Sequence, residues 1–278
     1  MTAGPEGSGS GRAVHCTRGG SFSAPKRSLG QNFLTDANIC RRIVHALGLE
    51  PGGAVLEIGP GRGALTRILA VHQGPVIALE KDRELASWLC REFPSVGVIQ
   101  GDGLSFCWEG LATLPGISVV GNLPYNVASS MIWEMVSRCR FWKGMVFMVQ
   151  KEVAGRLTAD PGSRAYGALS AWVSSFTMPR YMFTVPPHVF RPRPRVDSAV
   201  VRFDPHPSPA WDEAGCLSRL LKTLFQQRRK QLGVILKSCW GEELEAWCQR
   251  WNVDRRVRPE ELAPDMLRSL ALITAACL

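Results

Sequence analysis

The stretch Gly121-Asn122-Leu123-Pro124-Tyr125 brings together the groups needed to hold an exocyclic amine. Asn122 carries a carbonyl acceptor and an NH2 donor, so its side chain can hydrogen-bond an amino group on a flat heterocycle. Pro124 fixes its own φ and favours an extended Leu123, which sets the directions of the local carbonyls. Tyr125 adds a ring on which a base can stack. Taken alone, these residues also fit a strand-ending turn with a buried tyrosine.

Three further positions at strand ends suggest a nucleoside site. Gly59-Pro60-Gly61-Arg62-Gly63 follows an apolar segment, Glu80 ends the next one, and Asp102 follows the third. Glycines let a ligand approach the backbone, and an acid ending the second strand can accept both hydroxyls of a ribose. The Gly-x-Gly-x-Gly spacing differs from the dinucleotide pattern and favours a nucleoside without phosphates. A surface salt bridge for Glu80 and a helix N-cap for Asp102 stay open as alternatives.

Alternating strands and helices must position these residues. A helix capped by Thr35 or Asp36 comes first, and strands are expected at 54–58, 75–80, 96–100, 118–121, 145–149 and 198–203. Such alternation predicts βαβ units and a mainly parallel sheet covered on both faces. The carboxyl ends of parallel strands share one edge, where open α/β sheets bind ligands.

The composition divides the chain into three parts. Residues 1–25 are rich in Gly and Ser and lack the apolar core of a secretory signal, so we expect a disordered leader. A transit peptide stays open, although the segment shows little amphipathic pattern. We expect the α/β domain over 26–205 and, after a proline-rich linker, a small helical domain over 206–278.

The net charge of +9 favours a polyanionic partner, with nucleic acid ahead of an anionic membrane. A basic enzyme without such a partner is the alternative. Two cationic clusters and a pair near the leader are the candidate RNA contacts, and solvated faces are the alternative for the clusters. These residues are Arg191, Arg193 and Arg195, then Arg228, Arg229 and Lys230, and finally Lys26 and Arg27.

The cysteines and apolar runs exclude several classes of protein. None of the 9 cysteines forms a Cys-x-x-Cys pair and no histidines cluster with them, so we expect no metal site. Their scatter predicts reduced, buried thiols in a reducing compartment. No apolar run approaches the roughly 18 residues of a membrane span. We therefore expect a cytoplasmic protein with no membrane partner.

Several segments together resemble the ribosomal RNA adenine N6,N6-dimethyltransferase family. The resemblance runs from Lys26 to near Leu236, in the family's order. Its segments are Gly30-Gln31-Asn32-Phe33-Leu34, 57–66, Asn122-Leu123-Pro124-Tyr125, Gln150-Lys151-Glu152-Val153, 166–170, 190–200 and 225–230. It implies a Rossmann-like class I methyltransferase fold with a mainly parallel seven-stranded sheet and a small all-helical C-terminal domain.

The resemblance also implies a cofactor and roles for individual residues. The cofactor is S-adenosylmethionine, with Glu80 on the ribose hydroxyls and Asp102 on the adenine amine. The implied contact residues are Asn32, Leu34, Gly59, Gly61, Glu80, Asp102 and Asn122. Asn122, Leu123 and Pro124 are implied to hold the target amine, and Tyr125 and Phe190 to sandwich a flipped adenine. One departure is Lys81, where an apolar residue is more usual.

The implied reaction is dimethylation of N6 in two adjacent adenosines of the 3′-terminal hairpin loop of small-subunit rRNA. The implied partner is a 30S-like subunit late in assembly, with the enzyme a monomer. The related large-subunit methyltransferases are one alternative, but they usually carry Asn-Ile-Pro-Tyr and Asn-Ser, so Leu123 and Asp197-Ser198 favour the small-subunit enzyme. A non-catalytic assembly factor is the other, and the intact acids and Asn122 motif argue against it.

Overall fold

The structure is a computed structural model that describes residues 12–13, 31–114 and 116–278. The strands are β1 (Arg12–Ala13), β2 (Phe33–Leu34), β3 (Val55–Ile58), β4 (Val76–Glu80), β5 (Gly97–Gln100), β6 (Ile117–Asn122), β7 (Trp142–Gln150), β8 (Thr177–Val185), β9 (Phe190–Arg191) and β10 (Ser198–Pro205). The helices are α1 (Ala37–Leu47), α2 (Thr66–Leu69), α3 (Arg83–Glu92), α4 (Ala128–Arg138), α5 (Lys151–Leu157), α6 (Ala168–Phe176), α7 (Ala214–Gln226), α8 (Leu232–Ile235), α9 (Glu242–Trp251) and α10 (Pro264–Ile273). Short 3-10 helices occupy Trp108–Thr113, Pro187–Val189, Lys237–Cys239 and Pro259–Glu261.

The predicted mainly parallel sheet is confirmed. Its strand order is β1-β5-β4-β3-β6-β7-β10-β8, and β5, β4, β3, β6 and β7 are mutually parallel. Six of these strands lie where the sequence predicted them, and β8 brings the sheet to the seven strands that the resemblance implies. The two-residue β1 adds an eighth, antiparallel to β5. The order runs outward from β3 in both directions, so the carboxyl ends of β3 and β6 flank a topological switch point.

Strand β8 is the longest of the strands that the sequence did not predict. Its residues alternate irregularly between buried and exposed, and it includes Pro179. It lies at the end of the sheet, where a proline is tolerated and one row of backbone groups has no strand partner among the described residues. An edge strand therefore lacks the continuous apolar run by which the central strands were recognised.

Helix α1 shows how local sequence sets an element that borders the site. Of the two predicted caps, Asp36 is the residue used, because its carboxylate accepts from the backbone N–H groups of Asn38 and Ile39. The helix ends at Gly48, whose φ of 63° is the left-handed conformation that glycine adopts readily. Its buried face, which includes Ile39 and Ile43, joins the main apolar core.

The chain forms two compact units. The first comprises Met1–Met131, Cys139–Lys151 and Met182–Arg202, and the second comprises Ile132–Arg138, Glu152–Tyr181 and Phe203–Leu278. The first unit contains the apolar core under β3, β4 and β6. In the second, helices α6, α7 and α10 pack together, and the Trp133 and Trp172 rings stack with centroids 4.2 Å apart. The domain boundaries expected at 26–205 and 206–278 stay a prediction.

Two further expectations concern the leader and membranes. Within 1–25 the structure describes only Arg12 and Ala13, which form β1, so the rest of the expected disordered leader lies outside the described residues. Among the described residues, no helix combines the length and apolarity needed to cross a bilayer.

The expectation that every cysteine is a reduced thiol is wrong for one pair. Cys239 and Cys277 form a disulfide in the second unit, with Cα atoms 5.8 Å apart. The two residues are separated by 38 positions, so sequence spacing gave no sign that they meet. The other described cysteines are not part of a disulfide.

Candidate active site

A cleft at the carboxyl ends of the central strands gathers most of the predicted site residues. It is lined by the segment around β2, the loop after β3, the end of β4, the turn after β5 and the segment after β6. The predicted residues that line it are Asn32, Leu34, Gly59, Gly61, Glu80, Asp102, Asn122, Leu123, Pro124 and Tyr125.

The loop after β3 requires its glycines. Gly59, Gly61 and Gly63 have φ values of 65°, 57° and 73°, a region that residues with a Cβ rarely adopt. A Cβ on Gly63 would lie 2.6 Å from the Phe93 ring, so a side chain there would also displace a core residue. The loop consequently offers bare backbone to the cleft.

Glu80, at the end of β4, hydrogen-bonds to this loop and is not part of a surface ion pair. Its carboxylate is buried and accepts from the backbone N–H of Gly61 at 3.0 Å and that of Asp82 at 2.8 Å. Burial raises the pKa of Glu80 and these hydrogen bonds oppose the rise. Each oxygen keeps a second lone pair with which to accept a hydroxyl. The surface salt-bridge interpretation of Glu80 is therefore wrong.

Asp102 has a cationic partner that sequence reasoning did not foresee. One carboxylate oxygen accepts from the Leu104 backbone N–H at 3.0 Å, and the other lies 2.7 Å from Lys81 Nζ. Burial acts to raise the pKa of Asp102, but the Lys81 hydrogen bond and charge lower it overall. No α-helix begins at Asp102, so the N-cap interpretation is wrong. The departure at Lys81 thus bears directly on the acid expected to meet adenine.

Asn122 is held in one orientation by a distant part of the chain. Its Nδ2 donates to the carbonyl oxygen of Asn32 at 2.9 Å, which leaves the side-chain oxygen as the group available to a ligand in the cleft. Gly121 makes this placement possible, since a Cβ there would lie 2.6 Å from the carbonyl oxygen of Ile58 on β3. The backbone N–H of Leu123 donates to Met148 O at 3.1 Å, which fixes the segment to β7.

Tyr125 is half-buried at the cleft, with its hydroxyl 2.5 Å from Ser198 Oγ. Burial raises the pKa of the phenol and the hydrogen bond to Ser198 opposes the rise. The hydroxyl is thus engaged at the far end of the ring. What the ring offers a ligand is mainly its aromatic surface.

Phe190 does not share the cleft with Tyr125 in this structure. It lies in β9, which pairs antiparallel with β2 so that Phe190 stands opposite Leu34. Its ring is fully buried in the apolar core, and it is not among the described residues that line the cleft. The predicted sandwich around an adenine stays a prediction that requires this ring to leave the core.

The cationic clusters differ in whether their side chains face solvent or are hydrogen-bonded within the protein. Arg191, Arg193 and Arg195 are all exposed. Arg228 is engaged within the second unit, because its Nε donates to Glu260 at 2.8 Å and its Nη2 to Arg164 O at 3.0 Å. The exposed members beside it are Arg229 and Lys230, and Lys26 and Arg27 lie outside the described residues.

Glu57 is a cleft residue whose chemistry the sequence analysis overlooked. It is fully buried on β3 and accepts from Thr66 Oγ1 at 2.7 Å. Burial raises the pKa of Glu57 to about 8, although the Thr66 hydrogen bond opposes the rise. The sequence did carry a signal for this residue, because Glu57 is the one acidic residue in an otherwise apolar strand segment. Within the part of the chain that the structure describes, no group of acidic, His and Cys side chains is placed to hold a metal ion.

Comparisons with known proteins agree with this geometry. The sequence matches the family described as Ribosomal RNA adenine dimethylase over residues 23–275. Ribosomal RNA small subunit methyltransferase A of Maridesulfovibrio salexigens is 47% identical over 250 residues, which cover 88% of this chain and 94% of that protein. Its counterpart from Oleidesulfovibrio alaskensis is 47% identical over 257 residues, covering 90% and 91%.

Solved structures show the same fold. A dimethyladenosine transferase from Plasmodium falciparum superposes with a TM-score of 0.71 at 24% identity, covering 88% of this chain and 98% of that one. The 23S rRNA methyltransferase ErmE superposes with a TM-score of 0.67 at 24% identity, covering 88% and 100%. The Rossmann-like methyltransferase fold expected from the sequence is confirmed. With a family match over nearly the whole chain, this protein belongs to the ribosomal RNA adenine dimethylase family.

Proposed function

We propose that this protein transfers methyl groups from S-adenosylmethionine to N6 of two adjacent adenosines in the 3′-terminal hairpin loop of small-subunit rRNA. The product is N6,N6-dimethyladenosine, formed late in small-subunit assembly. The observation that carries the proposal is the single orientation of Asn122, whose oxygen is available in the same cleft as the glycine loop and the acids.

The cleft fits a nucleoside-bearing methyl donor. The Gly59 and Gly61 backbone admits close approach, Glu80 retains acceptors for a ribose, and Asp102 has an acceptor edge for an adenine amine. Asn32 and Leu34 from the β2 segment line the same cleft. S-adenosylmethionine supplies a methyl group already activated on a sulfonium, so no metal and no nucleophilic side chain are required of the protein.

The protein's part in the reaction is to hold the target amine. Its nitrogen lone pair is delocalised into the adenine ring, which makes it a weak nucleophile. Hydrogen bonds from the amine to the Asn122 side-chain oxygen and to a carbonyl of the Leu123-Pro124 segment favour a more pyramidal nitrogen. Positioning of this kind can lower a barrier by about 7–11 kcal/mol in well-oriented cases.

The substrate base must leave its stack to enter the cleft. That costs a few kcal/mol and is easiest in a loop, which suits a hairpin-loop target. Tyr125 supplies one stacking face, and we assign the other to Phe190 once its ring is exposed. Of the predicted cations, all but Arg228, which is bound to Glu260, are assigned to phosphates. These are Lys26, Arg27, Arg191, Arg193, Arg195, Arg229 and Lys230.

We further propose that the enzyme works as a monomer on a 30S-like subunit in the cytoplasm. Residues 206–278 would serve as the helical domain that docks on the ribosomal particle. The net charge of +9 supports a polyanionic partner.

The test is to incubate the protein with labelled S-adenosylmethionine and either undermethylated small subunits or large subunits. Label in two adjacent adenosines of the 3′-terminal hairpin of the small subunit is expected. Label in the large subunit alone would overturn the substrate assignment. Binding of either particle without any transfer would overturn the enzymatic one.

A further inference from the structure

A second, shallow groove lies in the first unit outside the cleft. It is lined by Arg41, Arg42, His45 and Ala46 of α1 and by Met182 and Phe183 at the end of β8. We call it the α1 groove. None of its residues has a part in the proposed methyl transfer.

The basic side chains of the α1 groove occupy one face of α1. Arg41 and Arg42 precede His45 by four and three positions, the spacings that place helical side chains together. All three are exposed. The opposite face of α1 is buried in the core, so the fold sets where these side chains emerge from the helix.

Both arginines are held without a carboxylate partner among the described residues. The Arg42 guanidinium lies over the Phe183 ring at 3.8 Å from its centroid, and Arg41 Nη2 donates to Asn38 Oδ1 at 2.7 Å. Neither contact neutralises the positive charge. The groove therefore presents positioned cations beside an aromatic ring, which is a combination that binds phosphates and bases of RNA.

The two elements that form the α1 groove adjoin, along the chain, the strand pair beside the cleft. Helix α1 begins just after β2, whose Phe33 and Leu34 line the cleft, and Phe183 precedes β9 by a few residues. Strands β2 and β9 pair with each other. At about 1.5 Å per residue along a helix, Arg41 and Arg42 lie on the order of 10 Å from the end of β2. That distance spans one or two nucleotides of an RNA strand.

We propose that the α1 groove binds the phosphodiester backbone of the substrate RNA next to the target loop, an inference that rests on the proposed function. The partner is RNA rather than a membrane because Met182 is the one large apolar side chain exposed among the described groove residues. A single such side chain gives little apolar area for insertion into a bilayer.

The test is to replace Arg41→Ser and Arg42→Ser together and measure binding to undermethylated small subunits over a range of salt. We expect the Kd to rise about tenfold at low salt and the slope of log K against log salt to become shallower by about one to two units. The Kd for S-adenosylmethionine and the urea midpoint should stay as in the wild type. A double Arg→Lys variant should keep most of the salt slope, because the charge is retained.

The matched control is Arg67→Ser with Lys143→Ser, which removes two exposed cations from the first unit outside the groove, including an arginine over the Phe93 ring. An equal loss of binding in this control, or none in the groove variant, would overturn the proposal. Wild-type binding to phosphatidylserine vesicles that the groove variant loses, with RNA binding unchanged, would overturn it in favour of a membrane. If the wild type binds subunits through the groove but transfers no methyl group, the proposed function fails and the groove assignment stands.

Discussion

The role that we propose for Asn122 rests on one atom, its side-chain oxygen, because its Nδ2 donates to the Asn32 carbonyl and fixes the side chain. This residue shows how far the chemistry of the site depends on single contacts. Asp102 also depends on one contact, because one of its carboxylate oxygens forms an ion pair with Lys81. At this scale, the consequences of a substitution can be separated into binding and transfer.

Replacing Asn122→Ala is expected to reduce methyl transfer by at least about 100-fold, since the amine loses its side-chain acceptor and its alignment. RNA binding should stay within twofold, because no phosphate contact is assigned to Asn122. Single-turnover transfer from labelled S-adenosylmethionine and anisotropy of an RNA hairpin measure the two effects. Transfer at the wild-type rate would refute the assigned role, and loss of RNA binding would point to misfolding instead.

Replacing Lys81→Met is expected to tighten binding of S-adenosylmethionine by about threefold to tenfold, since Asp102 is then no longer shared with an ammonium group. The ion pair is partly exposed, so the effect should shrink at high salt. Calorimetric titration with S-adenosylmethionine at two salt concentrations measures it. A higher Kd would show instead that Lys81 orients Asp102 for the ligand. Lys151→Met, which removes the exposed ion pair with Asp197, provides a control.

At the scale of elements, strand β3 carries both the glycine loop and the buried Glu57. Burial raises the pKa of Glu57 from 4.5 to about 8. Between these values the folded protein keeps a proton that the unfolded chain has released. The contribution of Glu57 to stability is therefore full below about pH 4.5 and is lost as the pH rises through 8.

Replacing Glu57→Gln is expected to raise the free energy of unfolding at pH 8.5 by about 1–3 kcal/mol and to leave it nearly unchanged at pH 4.5. The amide oxygen can still accept from Thr66. Urea unfolding at several pH values measures the difference, with Glu50→Gln as the control, because Glu50 is exposed and paired with Lys143. Parallel pH profiles for the wild type and Glu57→Gln would contradict the assignment.

The elements that apolar runs mark were predictable, and those that depend on distant partners were not. Strands β3 to β7 are short apolar segments, and the ligand cleft follows from where parallel strands end. The edge strand β8 lacks such a run. The Asn122–Asn32 bond spans 90 positions, and the Lys81–Asp102 pair joins two separate strand ends. The burial of Phe190 opposite Leu34 also depends on tertiary pairing, so no local pattern specified it.

At the scale of the whole molecule, the cations behind the net charge of +9 have two different roles. Some cations are part of the fold and others face solvent. Arg228 belongs to the first kind, through Glu260 and the Arg164 carbonyl, whereas Arg229 and Lys230 belong to the second. Only the second kind is free to release counterions on binding RNA.

Replacing Arg228→Ser is therefore expected to lower the free energy of unfolding by about 1–3 kcal/mol, because Glu260 loses a partly buried partner. Arg229→Ser with Lys230→Ser should leave stability within about 0.5 kcal/mol and weaken RNA binding severalfold. Chemical denaturation and RNA titration of the same variants separate the effects. The division between structural and binding cations is wrong if the two variants behave alike in both measurements.

The pairing of β2 with β9 also has a consequence for biosynthesis. Strand β2 is translated before β3 to β8, but its partner β9 emerges only after those strands have been made. A nascent chain can thus assemble the central strands while the wall of the cleft that carries Asn32 still waits for β9. The β2–β9 pair that borders the cleft can therefore form only after all the central strands have been synthesised.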